Sequence, residues 1–138
     1  MINILRLILL ILTFHVGYGQ IEDSVHLSYN LHESDNDLKK IIYKNGSFHF
    51  FINKEHFKSN TLDSILNKTE IQNIDLICID DFKSLALKER ERQIKEGEKI
   101  NSIRILMNDE VFNEIYLYEK NQDNTVNRYL VTWVEEIE

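Results

Sequence analysis

The stretch IIYKNGSFHFFIN, residues 41–53, constrains the fold of this chain more than any other. Asn45 and Gly46 both tolerate positive φ, which a two-residue type I′ turn needs at its two central positions, and apolar residues flank them on both sides. The spacing predicts a β-hairpin, roughly 39–44 paired with 47–53.

Other segments repeat the period of two. In SVHLSYNLH, residues 24–32, Val25, Leu27, Tyr29 and Leu31 alternate with His26, Ser28, Asn30 and His32, the pattern of a half-buried strand. ESDNDLKK then reads as a charged turn. SNTLDSILNK offers Ser59, Asn60 or Thr61 as a cap, with Leu62, Ile65 and Leu66 on one face, and predicts a short helix. NIDLICI, residues 73–79, reads as a compact apolar strand. It ends at Asp80 and Asp81, either of which can cap the helix that begins FKSLALKERERQIKEG. Phe82, Leu85 and Ala86 give that helix an apolar stripe that only Ile94 continues, so its second half is solvated, with a Glu91–Lys95 pair and Gly97 as a stop. In the last third Ile103, Ile105 and Met107 alternate, and VFNEIYLYE and TVNRYLVTWVEE follow after short polar turns. This is the pattern of a three-strand antiparallel meander. The expected fold is α+β: a mainly antiparallel or mixed sheet, one longer helix packed on a face, and the C-terminal meander.

The N-terminal run LRLILLILTFHVGYGQ, residues 5–20, stands apart. Arg6 precedes about ten apolar residues, too few for the roughly 20 that a membrane-spanning helix needs. Gly17 and Gly19 occupy the −3 and −1 positions of a cut before Gln20, where narrow side chains are required. Residues 1–19 are therefore expected to be a signal peptide. Residues 20–138 would then be one exported domain, with no membrane span left after cleavage. An N-terminal core element and an uncleaved anchor are the competing readings. The Ile- and Asn-rich, Pro-free composition suggests a bacterial gene, and so the periplasm or the medium. Without a Pro-, Gly- or Ser-rich linker or a 20- to 50-residue repeat, one domain suffices.

The chain carries a formal net charge of −7, and removal of residues 1–19 takes away Arg6 and no acid. No basic patch is readable in the sequence, which argues against a nucleic-acid partner, whose affinity rests on Lys and Arg neutralising phosphates. The lone cysteine, Cys78, cannot form an internal bridge. Between Ile77 and Ile79 it reads as an inert core thiol, with a bridge to another chain as the alternative.

The common catalytic and cofactor signatures are missing. His26 and His32, followed by Glu33, Asp35 and Asp37, hold metal-ligating groups, yet residues six apart on a strand lie about 20 Å apart. A polar sheet face running into a turn accounts for them. DND at 35–37 lacks the central Gly and final Glu of a calcium loop. His49, and His56 beside Glu55, do not match H-E-x-x-H. Asp80 and Asp81 could serve acid–base chemistry with a histidine such as His32 or His56, as in a small exported hydrolase or metal-dependent enzyme, and helix capping explains them without it. Tyr116, Tyr118, Tyr129 and Trp133, with Phe112, form either cross-strand core pairs or an exposed aromatic face for a ligand. The sequence thus points to a small exported binding protein, non-enzymatic and without a cofactor, that holds a protein or peptide partner on its sheet face or an edge strand. The hydrolase is the alternative.

Overall fold

The computed structural model describes residues 24–30, 39–102 and 104–135. The expected leader at 1–19, His32 and the acids at 33–37 lie outside the described residues. In chain order the elements are β1 (Ser24–Ser28), β2 (Lys39–Lys44), β3 (Ser47–Ile52), β4 (Glu55–Ser59), β5 (Ser64–Leu66), α1 (Lys68–Ile71), α2 (Ile79–Lys99), α3 (Asn108–Val111), β6 (Glu114–Lys120) and β7 (Val126–Val134). They form an α+β domain around an open 7-stranded sheet of order β1-β6-β7-β4-β3-β2, with β5 also beside β7. Among the described residues only the β1–β6 ladder is parallel, so the sheet is mainly antiparallel.

The hairpin forms where the turn chemistry places it. β2 and β3 pair from Lys39 opposite Ile52 to Lys44 opposite Ser47. Asn45 at φ 54° and Gly46 at φ 76° make the turn. A second tight turn follows at once, with Asn53 and Lys54 at φ 49° and 73°, and leads into β4. Without a glycine it carries little signal in the sequence.

Five local expectations change. Residues 59–68 do not form a helix: 64–66 are strand β5, and the helix that follows is the single turn α1, capped by Asn67 in a capping box with Glu70. Leu62 and Ile65, the supposed apolar face, are exposed, because the open edge of β7 captures this backbone first. The expected strand 73–79 reduces to one parallel bridge between Ile77 and Leu27, in which Ile77 N–H donates to His26 and Ser28 N–H donates to Ile77. It ends there because Ile79 already belongs to α2 and is buried. That helix is capped by Cys78 without a side-chain bond. Asp80 and Asp81 sit in its first turn instead, where acids complement the helix dipole. It also runs past Gly97 to Lys99. The Asn101 and Ser102 amides bond back to the Glu98 and Gly97 carbonyls, with Asn101 at φ 52°, which is a Schellman stop with Asn in glycine's usual place. The C-terminal meander is carried by β6 and β7, while 104–107 form no strand.

β4 and β5 are one strand interrupted. Six positions separate Lys58 from Ser64, where four separate their β7 partners Thr132 and Arg128. The surplus bulges out around the buried Ser59, whose hydroxyl lies 2.8 Å from the Leu130 carbonyl and 2.9 Å from that of Thr61.

Strand alternation sorts the side chains into two faces. The inner face, with Val25, Leu27, Phe50, Ile52, Phe57, Ile115, Leu117, Tyr129, Val131 and Trp133, joins Ile79, Phe82 and Ala86 of α2 and Val111 of α3 in one core. After β5 the chain next bonds to the far edge of β1, so residues 67–76 cross the sheet before α2 begins. On the outer face of the β1–β6–β7 half, Tyr118 and Val126 are fully buried. On the β2–β4 half of the outer face Lys40, Lys44 and Lys58 are exposed. No helix among the described residues is long and apolar enough to cross a membrane.

Candidate functional site

Two features of this fold can meet a ligand. One is a cleft of about 440 Å³ at the start of β1, between Ser24–His26, Asp75, Ile77, the α2 residues Leu85, Glu89, Arg92 and Gln93, and the 110–113 turn. Its floor is apolar, and the charged groups that α2 and α3 contribute to its rim are tied up internally. Arg92 bonds Glu89 and reaches Glu96 at 2.5 Å, Gln93 donates to Glu89 at 2.8 Å, and Arg104 pairs with Glu110. The Arg92 hydrogen bond holds the Glu89 carboxyl below the usual carboxylate range, and the Met107 amide, then Arg104, does the same for Glu110. Both are held as ionised partners, so neither is poised as a general acid at neutral pH.

His26 lines the same cleft and belongs to a network on the outer face. Its Nδ1 lies 2.8 Å from the Tyr118 hydroxyl, and its ring stacks on Tyr116 with centroids 5.6 Å apart. The Arg128 guanidinium covers Tyr116 at 5.1 Å, while Arg128 Nε donates to Asp63 at 2.6 Å. Burial pushes the Tyr118 phenol up, against the opposing pull of Arg128. These groups satisfy one another and leave no activated nucleophile.

The other feature is the open end of the sheet. β2 ends the strand order and, among the described residues, forms a ladder with β3 alone. Lys40, Ile42 and Lys44 point to the outer face, beside Ser47, His49 and Phe51 of β3 and His56 and Lys58 of β4. No acid stands among these positions, although the chain as a whole carries −7. Within the patch His49 Nδ1 lies 3.0 Å from His56 Nε2, and His56 stacks on Phe51 at 4.5 Å. On the inner side Tyr43 leans on Phe48 at 4.8 Å and is 65% exposed, a large aromatic residue at an edge that nothing described covers.

The four aromatic residues singled out in the sequence divide. Tyr116 is half-exposed on the outer face, whereas Tyr118, Tyr129 and Trp133 are 0%, 4% and 5% exposed. The last two pack in the core, Trp133 against Phe82 of α2 and Tyr129 against Phe48 and Phe50 of β3, which is the core-packing reading. Asp80 and Asp81 are exposed on α2 and line no part of the cleft. His56 lies on the outer face, opposite the side on which α2 packs, so the sheet separates it from those acids. Cys78 is half-buried rather than fully enclosed. Among the described residues no three His, Cys, Asp or Glu side chains are grouped to hold a metal ion.

Sequence reasoning missed the β2–β4 patch. Its lysines fall at 40, 44 and 58, too scattered to read as a basic run, and only strand register collects them. The chain matches no protein-family model, no curated protein and no solved structure, so its function rests on its own residues.

Proposed function

We propose that this protein is a small exported binding module that holds an extended segment of a partner protein along β2 and the adjoining open half of the outer sheet face. One observation carries this reading. An edge strand that, among the described residues, has a ladder on one side only presents the exposed Tyr43 and the half-buried Ile42 between lysines. Exposed aromatic and aliphatic groups beside unpaired strand backbone are what strand addition uses: main-chain bonds supply affinity and alternate side chains supply specificity. The cleft offers less, because Glu89, Arg92 and Glu110 on its rim are already paired. No placement of Asp80, Asp81 or His56 favours the hydrolase.

The test is hydrogen exchange on the full chain with partners recovered from envelope and medium. Bound partner should slow exchange at the β2 amides, and Tyr43→Glu should abolish capture. Protection confined to 24–26 and 110–113, around the cleft, would overturn the reading. Export is checked separately by intact mass, which should show a chain beginning at Gln20 outside the cytoplasm.

A further inference from the structure

We infer that the segment held by β2 has the alternation acid–apolar–apolar–apolar–acid. The inference rests on the proposal that β2 is the binding edge, and it names the chemistry that edge selects. A strand laid beside β2 places its residues opposite Lys40, Ile41, Ile42, Tyr43 and Lys44 in turn. Alternation sends the first, third and fifth to the outer face, next to Lys40, Ile42 and Lys44, and the second and fourth to the inner side, next to Ile41 and Tyr43. Directly opposed side chains in neighbouring strands lie about 4.5–5.5 Å apart at Cβ, close enough for carboxylates to pair with the two lysines and for apolar groups to cover Ile42, Ile41 and Tyr43. The pattern reads the same in both directions, so it fits parallel and antiparallel addition alike.

The same residues argue against other occupants. Lysine on an edge strand protects it from pairing with its own kind. Two β2 strands aligned antiparallel about Ile42 would set Lys40 against Lys44, and aligned parallel would set each lysine against itself. Like charges opposed across a ladder are unfavourable, so a second copy is disfavoured where an acidic strand is admitted. A nucleic acid is a poorer fit. Tight binding of that kind uses about 6–10 phosphate contacts, and a polyanion longer than this patch would run onto a chain carrying −7.

The experiment uses the full chain, a peptide with Glu-Val-Ile-Val-Glu at its centre, and its counterpart with Lys-Val-Ile-Val-Lys. Amide chemical shifts map where each binds, and titration gives the affinities at low and high salt. The acidic peptide should perturb β2, bind on the order of five- to tenfold more tightly than the basic one at low salt, and lose that margin as salt rises. In the double variant Lys40→Glu/Lys44→Glu the preference should reverse, an outcome that only a folded protein can give. Equal binding of both peptides at β2, or a preference that survives the double variant, would overturn the acidic pattern and leave the binding edge standing. Perturbation of the cleft residues with β2 silent would overturn both. Concentration-dependent dimers that cover β2, or an oligothymidylate that binds this face more tightly than the acidic peptide, would assign the surface to a second copy or to nucleic acid and would likewise sink the inference.

Discussion

Phe82 of α2 meets the indole of Trp133 edge-on, with ring centroids 4.9 Å apart and planes at 73°. It meets Phe57 the same way, at 5.4 Å and 72°, and Phe112 at 5.5 Å. One helix side chain therefore joins β4, β7 and the turn after α3. The polar tip of Trp133 is met as well: its Nε1–H donates to Glu55 at 2.9 Å, and Glu55 also accepts Lys83 of α2 at 3.3 Å. Phe82→Ala should cost about 3–5 kcal/mol, the range for emptying a fully buried aromatic site. Urea unfolding followed by Trp133 fluorescence measures it. A loss below about 1 kcal/mol would mean that α2 is not seated on this face as described.

Ser59 is the second structural test. Its hydroxyl ties the bulge between β4 and β5 to the Leu130 and Thr61 carbonyls. Ser59→Ala leaves a buried carbonyl short of a donor and should destabilise the fold by about 1–3 kcal/mol. Exchange should quicken at Asp63, whose amide bonds Arg128 across the bulge at 2.9 Å, before it does in the β2–β3 hairpin.

Gly46 isolates a backbone effect. A Cβ at this position meets nothing within 4 Å, so crowding contributes nothing, yet φ is +76°. Gly46→Ala should cost about 1–2 kcal/mol from the left-handed conformation alone. Chemical denaturation reads the cost. A neutral substitution would show that the turn is not of the type I′ form.

Tyr129 supplies the alkaline prediction. Burial first, then the nearby Glu119 carboxylate, pushes its phenol up to about 12. The native state then holds the phenolic proton more tightly than the unfolded chain, whose tyrosines titrate near about 10. This contribution to stability is complete below about pH 10 and is lost as pH rises towards 12. Tyrosinate absorbance should show a late step near the upper end of that window, absent in Tyr129→Phe, and the variant should lose less stability between the two values.

Some of this protein is written in short stretches of its sequence. Asn45-Gly46 fixes a hairpin because positive φ is a property of those two residues, and the alternation in 24–28, 114–120 and 126–134 marks strands because side-chain direction follows the backbone period. Phe82, Leu85 and Ala86 mark α2 for the same kind of reason. The tertiary structure decided what lies between. Residues 64–66 are a strand because β7 had an edge to offer, and 73–79 became a bridge and a helix start because Ile79 is needed in the core. Tyr116 and Tyr118 share a face and a period, yet only Tyr116 reaches solvent. Lys40, Lys44 and Lys58 become one patch only through the register of three strands. Local dihedral preference acts over a few residues. Which face is covered, and which charges meet, is set by contacts between residues far apart in the chain, which form only when the sheet closes around its core.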